Sequence, residues 1–574
     1  MLHTADANKS ITSPTVRHWE KASTSLATAL SMYLDLCTLL GANSLKEGMQ
    51  PKALAMRIDS ALDSLHTILD QQLGQARSTL SKTRNTILSP ATRLPEKVIA
   101  KIFTYVVFSD QGSDRGSVAT MEESVIAVYR PLHNLLEVCS VWRNATLARG
   151  EFWSIVPVLE YPFPAPKLKN AIDLSLERAG PRELHLAGML LPNRTVDVEI
   201  LGKHASRFRT VNIISESQKA IRSMMDILIG SGTPTQLSEL SIYQKQISFY
   251  SREPVEPDHI YPIYPESLDP NIDTFHDLLH SLSILRVRGT QIHLHMMRSS
   301  NLTKLRLQEF NFGYDHIMII GLKNLLSSTT RLRELELVSV RTLINSGWSL
   351  DYTASNWAIT VPSLQTLLIQ DLYYKTLTYL LASITSRSHN LTLYLTENYY
   401  QYPDVEHEKS GSPDLATLDR ILKCTPIHTL CIDNTPWLAS SQLRDLLKSM
   451  PMLETLRLDG RQLLDENWNA IQRPGFQESY YSFPHLINLH LSRVRLDDEE
   501  ALKKMVASYS GSMKRMVLGA AVLNEANNWA WTSLRGDEEI VTWLREKVPD
   551  FQLMDYAYQP PEFQPDQWPL WWSD

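Results

Sequence analysis

Cysteine is scarce in this chain, and its scarcity excludes a fold that disulfides hold together. Four cysteines occur among the 574 residues, and no two of them form a Cys-x-x-Cys pair. Cys424 and Cys431 lie close together in sequence, but no pair of histidines stands beside them at zinc-ligand spacing. This cysteine usage is typical of a protein in a reducing compartment.

Long apolar runs are missing too, which argues against a membrane protein. The stretch from Leu26 to Leu40 contains Asp35 and is too short and too polar to span a bilayer. It also lacks the basic and apolar regions of a signal peptide. The net charge of −7 is mild for this length and indicates neither nucleic acid nor an anionic membrane as a partner. We therefore expect a cytoplasmic or nuclear protein.

Motifs of known enzymes are absent as well. The chain contains no GxGxxG, Walker loop, GxSxG or HExxH. His293 and His295 alternate on a predicted strand as metal ligands can, but no third ligand stands at a recognisable spacing. We therefore expect a non-catalytic protein without a cofactor or a metal. An unrecognised active site would need a cluster of titratable groups with strongly perturbed pKa values.

What the chain does contain is a repeated strand pattern, apolar-x-x-apolar-x-apolar, that recurs about every 30 residues. The clear copies are Leu237-Leu240-Ile242, Leu282-Leu285-Val287, Leu302-Leu305-Leu307, Leu332-Leu335-Leu337, Leu364-Leu367-Ile369, Asn390-Leu393-Leu395, Ile427-Leu430-Ile432, Leu453-Leu456-Leu458, Leu486-Leu489-Leu491 and Met513-Met516-Leu518, and weaker ones are Leu184-Leu186 and Phe208-Val211-Ile213. Amphipathic helical segments separate the copies. The pattern predicts an α/β fold in which residues 171–550 form a leucine-rich-repeat solenoid, with parallel strands inside and helices outside. An ordinary α/β domain that carries the pattern by chance is the alternative.

The N-terminal part has a different pattern. Residues 1–15 are polar and predict disorder, whereas residues 16–87 predict two helices. Apolar residues within 52–87 keep a three- and four-residue spacing and form a stripe along one side. This stripe is typical of a coiled coil that self-associates or of an amphipathic helix folded back on its neighbours. The small number of heptads slightly favours the second interpretation.

Residues 88–158 predict two short amphipathic helices, one before and one after a polar insert. The apolar residues of this segment are Leu94, Val98, Ile99, Ile102, Phe103 and Val106 before the insert, and Leu135, Val138, Cys139, Trp142, Phe152 and Trp153 after it. A unit of this size cannot bury so many large apolar groups internally. The surplus predicts docking against a partner or, equally, a helical cap that faces the next domain.

The order of these residues resembles an F-box, in the fungal F-box-like form that leucine-rich repeats accompany. The resemblance covers residues 88–158 and departs from the family in the insert from Ser109 to Arg130. It implies that the module docks an SKP-family adaptor and, through it, the cullin of an SCF-type ubiquitin ligase complex. The residues that it implies for adaptor binding are Leu94, Pro95, Val98, Ile99, Ile102, Phe103, Val138, Cys139, Trp142 and Trp153.

Charged residues alternate with apolar ones along three consecutive predicted strands. Alternate strand residues face opposite sides of a sheet, so we expect these charges on the concave face of the solenoid. They would favour a charged protein substrate, or would equally be solvated residues without a partner. These candidate substrate-binding residues are Arg286, Arg288, Lys304, Arg306, Glu334 and Glu336.

Segments outside the repeat pattern complete the domain organisation. We expect residues 159–170 to form a linker. Three further segments are predicted to be loops, which either bind a partner or are ordinary surface: 244–272, 398–413 and 466–482. The tail, residues 551–574, is rich in proline and contains Trp568, Trp571 and Trp572. We expect it to fold back over the open core of the last repeat, the alternative being a linear binding motif.

Together these features predict a substrate adaptor that acts in protein ubiquitination by protein binding alone. The alternative is a leucine-rich-repeat scaffold whose degenerate F-box serves only as a structural cap.

Overall fold

The computed structural model describes most of the chain in two units, Met1–Pro95 and Glu96–Asp574. The described residues are 13–44, 46–88, 94–108, 119–160, 165–192, 198–230, 236–245, 262–265, 270–294, 297, 300–343, 358–384, 389–401, 414–433, 438–460, 462–474, 483–524, 530–564 and 568–571. We call Met1–Pro95 the N-terminal helical unit and Glu96–Asp574 the repeat unit. The predicted disorder of residues 1–15 falls almost entirely outside the described residues.

The N-terminal helical unit consists of two long helices. The first is α1 (Pro14–Asn43), and the second runs from α2 (Pro51–Ser60) through a π-helical stretch (Ala61–His66) into α3 (Thr67–Leu88). Tyr33 contacts His66 with a ring-centroid distance of 5.9 Å, so the two helices touch. No residue of the second helix is buried. The predicted helices are therefore present, and their apolar stripe is exposed within this unit.

The repeat unit begins with three helices, α4 (Glu96–Phe108), α5 (Met121–Val138) and α6 (Ser140–Leu147). Helix α5 extends well into the predicted 109–130 insert, because Thr120 and Glu123 form a capping box at its start. Thr120 Oγ1 accepts from the N–H of Glu123 at 3.2 Å, and Glu123 Oε2 accepts from the N–H of Thr120 at 2.8 Å. Cys139 has an extended backbone and separates α5 from α6. The segment after the insert, which was predicted to be one amphipathic helix, therefore forms two helices, α5 and α6.

A long, mostly parallel sheet follows. Its strands and the short strands beside it are β1 (Ile155–Leu159), β2 (Leu184–Leu190), β3 (Phe208–Ser215), β4 (Glu239–Gln244), β5 (Ile284–Arg288), β6 (Lys304–Gln308), β7 (Asn311–Tyr314), β8 (Glu334–Val338), β9 (Arg341–Leu343), β10 (Thr366–Gln370), β11 (Asn390–Leu395), β12 (Ile427–Ile432), β13 (Thr455–Asp459), β14 (Gln462–Leu463), β15 (Asn488–Leu496), β16 (Arg515–Asn524), β17 (Ala530–Ser533) and β18 (Asp550–Leu553). The strand order is β1-β2-β3-β4-β5-β6-β8-β10-β11-β12-β13-β15-β16-β17, and β14 and β18 pair with β15 and β16. Every one of these pairs is parallel except β16 with β17, and β7 and β9 form a separate parallel pair.

Helices connect most of the strands, as the spacing between the repeats predicts, although the described residues contain no α-helix between β5 and β6 or between β9 and β10. They are α7 (Ala165–Arg178), α8 (Glu199–Lys203), α9 (Gln218–Ile229), α10 (Ile272–Ser281), α11 (Asp315–Ser328), α12 (Tyr374–Ser383), α13 (Leu415–Cys424), α14 (Ser440–Lys448), α15 (Asp465–Ile471), α16 (Glu499–Ser508) and α17 (Glu539–Lys547). A parallel connection requires such a crossover because each strand must begin again at the same edge of the sheet.

The apolar positions of every predicted repeat lie in one continuous core. Leu240, Leu285, Leu305 and Leu335 are fully buried, and their counterparts in the other strands are nearly so. We call these residues, which the strands present toward the helices, the leucine layer. Residues such as Glu309 and Asp371, which directly follow a strand, have a left-handed backbone and donate their N–H to a carbonyl of the next strand. The same corner therefore recurs from repeat to repeat, and the chain has a leucine-rich-repeat-like fold.

The structure differs from the predicted boundaries at both ends of the array. Strand β1 begins inside the predicted 88–158 module, ends on Leu159 at the start of the predicted linker, and pairs with β2, so the sheet begins before that linker. Helix α7 begins within that linker, at Ala165. At the other end, β18 follows α17 and extends the sheet into the predicted tail. No helix in the described part of the chain has the length and the hydrophobicity that crossing a bilayer requires.

Candidate interaction surfaces

Helix α4 has apolar residues on two opposite sides. Ile99 and Phe103 point inward and are 5% and 1% exposed, whereas Val98 and Ile102 are 43% and 44% exposed. Tyr105 and Val106 continue the exposed side at helical spacing and are also exposed. We call Val98, Ile102, Tyr105 and Val106 the outer face of α4. An apolar helix face left in water is typical of a binding surface.

The predicted adaptor-binding residues after the insert divide in the same way. Val138 is exposed, Cys139 and Trp142 are partly buried, and Trp153 is buried. Trp142 packs edge-on against Phe103 with a centroid distance of 5.0 Å. Phe103, Ile99 and Trp153 are therefore part of the core, which supports the surface but is not accessible to a partner. Leu94 and Pro95 are exposed at the end of the N-terminal helical unit, and α4 begins one residue later.

The same helices cover the first strand of the sheet. Tyr129 of α5 donates its hydroxyl hydrogen to the carbonyl of Ile155 at 2.6 Å and also contacts the hydroxyl of Ser175 at 2.9 Å. Burial raises the pKa of Tyr129 to about 12. Arg178 of α7 lies 4.3 Å from the ring centroid of Trp153. Beside these contacts lies a cavity of about 540 Å³ between α5, β1 and α7. The module thus caps the array, as the second interpretation of its apolar surplus predicts.

The predicted substrate-binding charges lie together on the side of the sheet opposite to the leucine layer. We call this side, with Asn212, Tyr243, Arg286, Arg306, Glu336, Tyr394 and Arg457, the sheet face. Arg286, Arg306 and Glu336 stand in register on the neighbouring strands β5, β6 and β8. The alternation of strand side chains, read from the sequence, accounts for this placement.

These charges pair with one another across the strands. Arg306 contacts Glu336 at 2.7 Å, and Lys304 contacts Glu334 and Glu336 at 2.6 and 2.9 Å. The predicted cations Lys304 and Arg306 and the predicted anions Glu334 and Glu336 therefore form a network whose charges neutralise one another. The remaining two cations of the set are also paired, Arg286 with Glu239 at 3.3 Å and Arg288 with Glu309 at 2.6 Å.

The network perturbs the pKa values of its members. Burial would raise the pKa of Glu336, but Arg306 and Lys304 lower it below the ordinary value. Burial would lower the pKa of Lys304, but its two glutamates raise it. Burial lowers the pKa of Arg286, against the effect of Glu239. Each shift except that of Arg286 favours the charged form, as expected of ion pairs that stabilise the fold.

After β18, which takes up the first residues of the predicted tail, the described tail residues 554–564 and 568–571 lie across the sheet face and cover part of this network. Trp568 and Phe563 are buried there, and Arg286 lies 4.4 Å from the ring centroid of Trp571. The tail folds back as expected. Its first residues, in β18, pack on the last repeat, but the described residues after them pack on the sheet face. Trp572 lies outside the described residues.

The remaining candidates have ordinary environments. His293 Nε2 is 2.7 Å from the carbonyl of Tyr264 and belongs to no strand, and His295 lies outside the described residues. Within the described ranges, no group of His, Cys, Asp and Glu side chains could hold a metal ion. His490 on β15 has its pKa lowered to about 4 by burial and by Arg457 and Arg515. The predicted loops 244–272 and 398–413 lie mostly outside the described residues. The loop predicted for 466–482 is wrong at its start, because α15 occupies this part and buries Trp468.

Comparison with known proteins leaves the family open. No protein-family model matches the chain, and no curated protein matches it either. Among solved structures, the chain is similar to the leucine-rich-repeat-containing protein LegL7 from Legionella pneumophila, with 11% sequence identity and a TM-score of 0.30. That similarity covers 69% of this chain and 97% of the other. The fold assignment rests on the strand pairing and the leucine layer described above.

Sequence reasoning missed several residues of these surfaces. Tyr105 extends the outer face of α4, and its position three and seven residues after Ile102 and Val98 is a readable helical signal. The glutamates Glu239 and Glu309 were not recognised as partners of the arginines, because their pairing joins different strands. Asn212 was missed for the same reason, since its partner is the distant tail.

Proposed function

We propose that this protein is the substrate-recognition subunit of an SCF-type cullin-RING ubiquitin ligase. In this role the outer face of α4, together with Val138, docks an SKP-family adaptor, and the repeat unit holds a protein substrate. The subunit does no bond chemistry and accelerates ubiquitination by raising the effective concentration of substrate near the conjugating enzyme.

The observation that carries the proposal is the pair of opposite apolar faces on α4. Its inner face, with Phe103, is satisfied by packing against Trp142, so the fold does not need the outer face. Exposing Val98, Ile102 and Tyr105 to water has a free-energy cost that a bound partner would remove. The F-box resemblance, which spans these residues, supports an SKP-family adaptor as that partner.

The second candidate function is a leucine-rich-repeat scaffold in which the module is only a cap. The hydrogen bond from Tyr129 to Ile155 and the burial of Trp153 favour it, because they bind the module tightly to the first strand. Capping uses the inner side of the module, however, and leaves the outer face of α4 unexplained.

A pull-down of the purified full-length chain with an SKP-family adaptor tests the proposal. We expect the wild type to retain the adaptor and Ile102→Glu to lose it, because a charge in an apolar interface must be desolvated. Truncation of one apolar anchor in such an interface costs on the order of 2 kcal/mol. Phe103→Ala is a poor variant for this purpose since it removes part of the core.

Ile320→Glu is a matched control, because Ile320 is an isoleucine of similar exposure on α11. It should leave adaptor binding unchanged. If the folded wild type retains no adaptor, or if both variants bind equally, the adaptor role is wrong and the scaffold function remains.

We also propose that the N-terminal helical unit self-associates through residues 52–87. Its exposed leucines, Leu62, Leu65, Leu73 and Leu80, support this proposal, and a test is given below.

A further inference from the structure

The tail follows a long path over the sheet face. Its described residues, 554–564 and 568–571, run from β16, where the N–H of Met554 donates to the carbonyl of Leu518, past β13 and back to β3, against the direction in which the repeats progress. Phe563, Trp568 and Leu570 are buried along this path. Only one regular element occurs in the described tail, a short 3-10 turn (Pro561–Phe563), and none of these residues joins a strand ladder.

One end of the tail is held by an acidic and an aromatic residue. Glu562 pairs with Arg457 of β13. Phe563 packs edge-on against Tyr394 of β11 with a centroid distance of 5.3 Å, next to the buried Cys431. Tyr394, Cys431 and Arg457 stand in register on three adjacent strands, so this end of the tail crosses the sheet there.

The other end is held by its tryptophans and its backbone. Asn212 Nδ2 donates to the carbonyl of Trp571 at 2.7 Å, and the N–H of Trp571 donates to Asn212 Oδ1 at 3.2 Å. Trp568 packs against Tyr243 with a centroid distance of 5.6 Å, and Arg286 lies against the Trp571 ring. Arg306 lies 6.0 Å from the centroids of both tryptophan rings.

The groups that hold this end are oriented by the fold itself. Glu239 holds Arg286, and Glu336 holds Arg306, so both guanidinium groups are in place to stack on an aromatic ring before it arrives. The paired hydrogen bonds of Asn212 contact only backbone atoms of the bound segment and would accept any residue except proline at that position. Preorganised groups of this kind lower the entropic cost of binding.

The strand pairing beneath the tail does not depend on the tail residues that follow β18. The strands of the sheet pair with one another, and the leucine layer packs on their other side. Pro560, Pro561 and Pro569 lack the N–H that a strand ladder requires, so the tail is held in an extended form by side-chain contacts and by Asn212.

From these contacts we propose that the sheet face between β3 and β13 is a recognition site for an extended, tryptophan-containing segment of a partner protein, which the tail occupies in cis. The ligand that fits is a proline-containing segment with two tryptophans spaced like Trp568 and Trp571, preceded by an acidic-aromatic pair like Glu562 and Phe563. A tethered tail has a high effective concentration, so a partner segment must compete with it. The binding site itself is inferred from the tail contacts alone. That the bound segment belongs to a substrate rests on the proposed function.

A fluorescence-anisotropy titration tests the site without any adaptor, so its failure is distinct from failure of the adaptor pull-down. The probe is a fluorescein-labelled synthetic peptide of residues 558–574. It is titrated with the full-length wild type and with the double variant Trp568→Ala/Trp571→Ala, whose own tail no longer competes. We expect the double variant to bind the probe about tenfold or more tightly than the wild type does.

Two controls establish where the probe binds. Adding Asn212→Ala to the double variant should weaken binding about tenfold, and a probe with both tryptophans replaced by alanine should not bind. Circular-dichroism melting verifies that each variant is folded. If the double variant unfolds, Glu562→Ala/Phe563→Ala replaces it, because it loosens the other end of the tail.

The proposal is overturned if a folded variant with a loosened tail binds the probe no more tightly than the wild type. It is equally overturned if binding persists without the tryptophans or is unaffected by Asn212→Ala.

Discussion

Leucine has different environments in the two units of this protein. In the repeat unit, Leu335 and its counterparts form the leucine layer and are 0% exposed. In the N-terminal helical unit, Leu65 and Leu73 are 41% and 42% exposed although they follow an equally regular pattern. Strands of successive repeats stack on one another and bury each other's leucines, whereas a pair of helices buries only what it can turn inward. Regular spacing therefore predicts that a face is apolar, and the neighbouring elements determine whether it is buried.

The largest effect should come from the leucine layer. Leu335→Ala removes a fully buried side chain from a strand that is packed on both sides, and it should lower the free energy of unfolding by about 2–5 kcal/mol. Urea denaturation followed by circular dichroism measures this change. A loss as small as that of an exposed leucine would contradict the burial of this layer.

A smaller effect should come from the other side of the same strand. Glu336→Gln leaves Arg306 without a charged partner and should cost about 1–3 kcal/mol at neutral pH. Because the pKa of Glu336 is lowered in the fold, its contribution is complete above the ordinary carboxyl pKa and is lost as the pH falls through the folded-state value. The difference between wild type and variant in urea midpoint should therefore shrink on acidification.

Glu334→Gln is the matched control for that experiment. Glu334 pairs only with Lys304 in the network, and its side chain is much more exposed than that of Glu336. Its replacement should cost less than about 1 kcal/mol. Equal costs for the two variants would mean that the network does not depend on burial.

The smallest effect on unfolding should come from the exposed leucines. At dilutions where the chain is monomeric, Leu73→Ala should change the free energy of unfolding by less than about 0.5 kcal/mol, since the side chain is then already in water. Leu73→Glu combined with Leu80→Glu should instead change the assembly state. In analytical ultracentrifugation we expect the wild type to sediment as an oligomer and this variant as a monomer. A wild type that stays monomeric would refute self-association.

The repeats were predictable because their signal is local. Leu302, Leu305 and Leu307 lie within one strand, and their spacing alone specifies which side they share. Even the two weak copies, at Leu184 and Phe208, begin strands of the sheet. Strand β1 escaped prediction because Ile155–Leu159 is a continuous apolar run that is buried on both sides and shows no alternation.

The interaction surfaces were only partly predictable. Ile99 and Ile102 are alike in sequence, yet one is buried and the other exposed, because the positions of α5 and α6 determine which side of α4 is covered. The sequence placed the charges of the sheet face correctly. It did not predict which charges pair, since Lys304 and Glu334 lie on different strands and are 30 residues apart. A charged residue reveals its sign in the sequence and not its partner.

The amino-acid sequence alone determined the helical N-terminus, the leucine-rich-repeat-like array and the side of the sheet on which its charges lie. Only the tertiary structure decided that these charges neutralise one another, that the outer face of α4 stays in water, and that the tail lies across the sheet face. Asn212 and Trp571 are 359 residues apart, and Arg457 and Glu562 are 105 apart. The physical reason is the range of the interactions: spacing within a helix or strand is read locally, whereas these contacts form only after the whole array has folded.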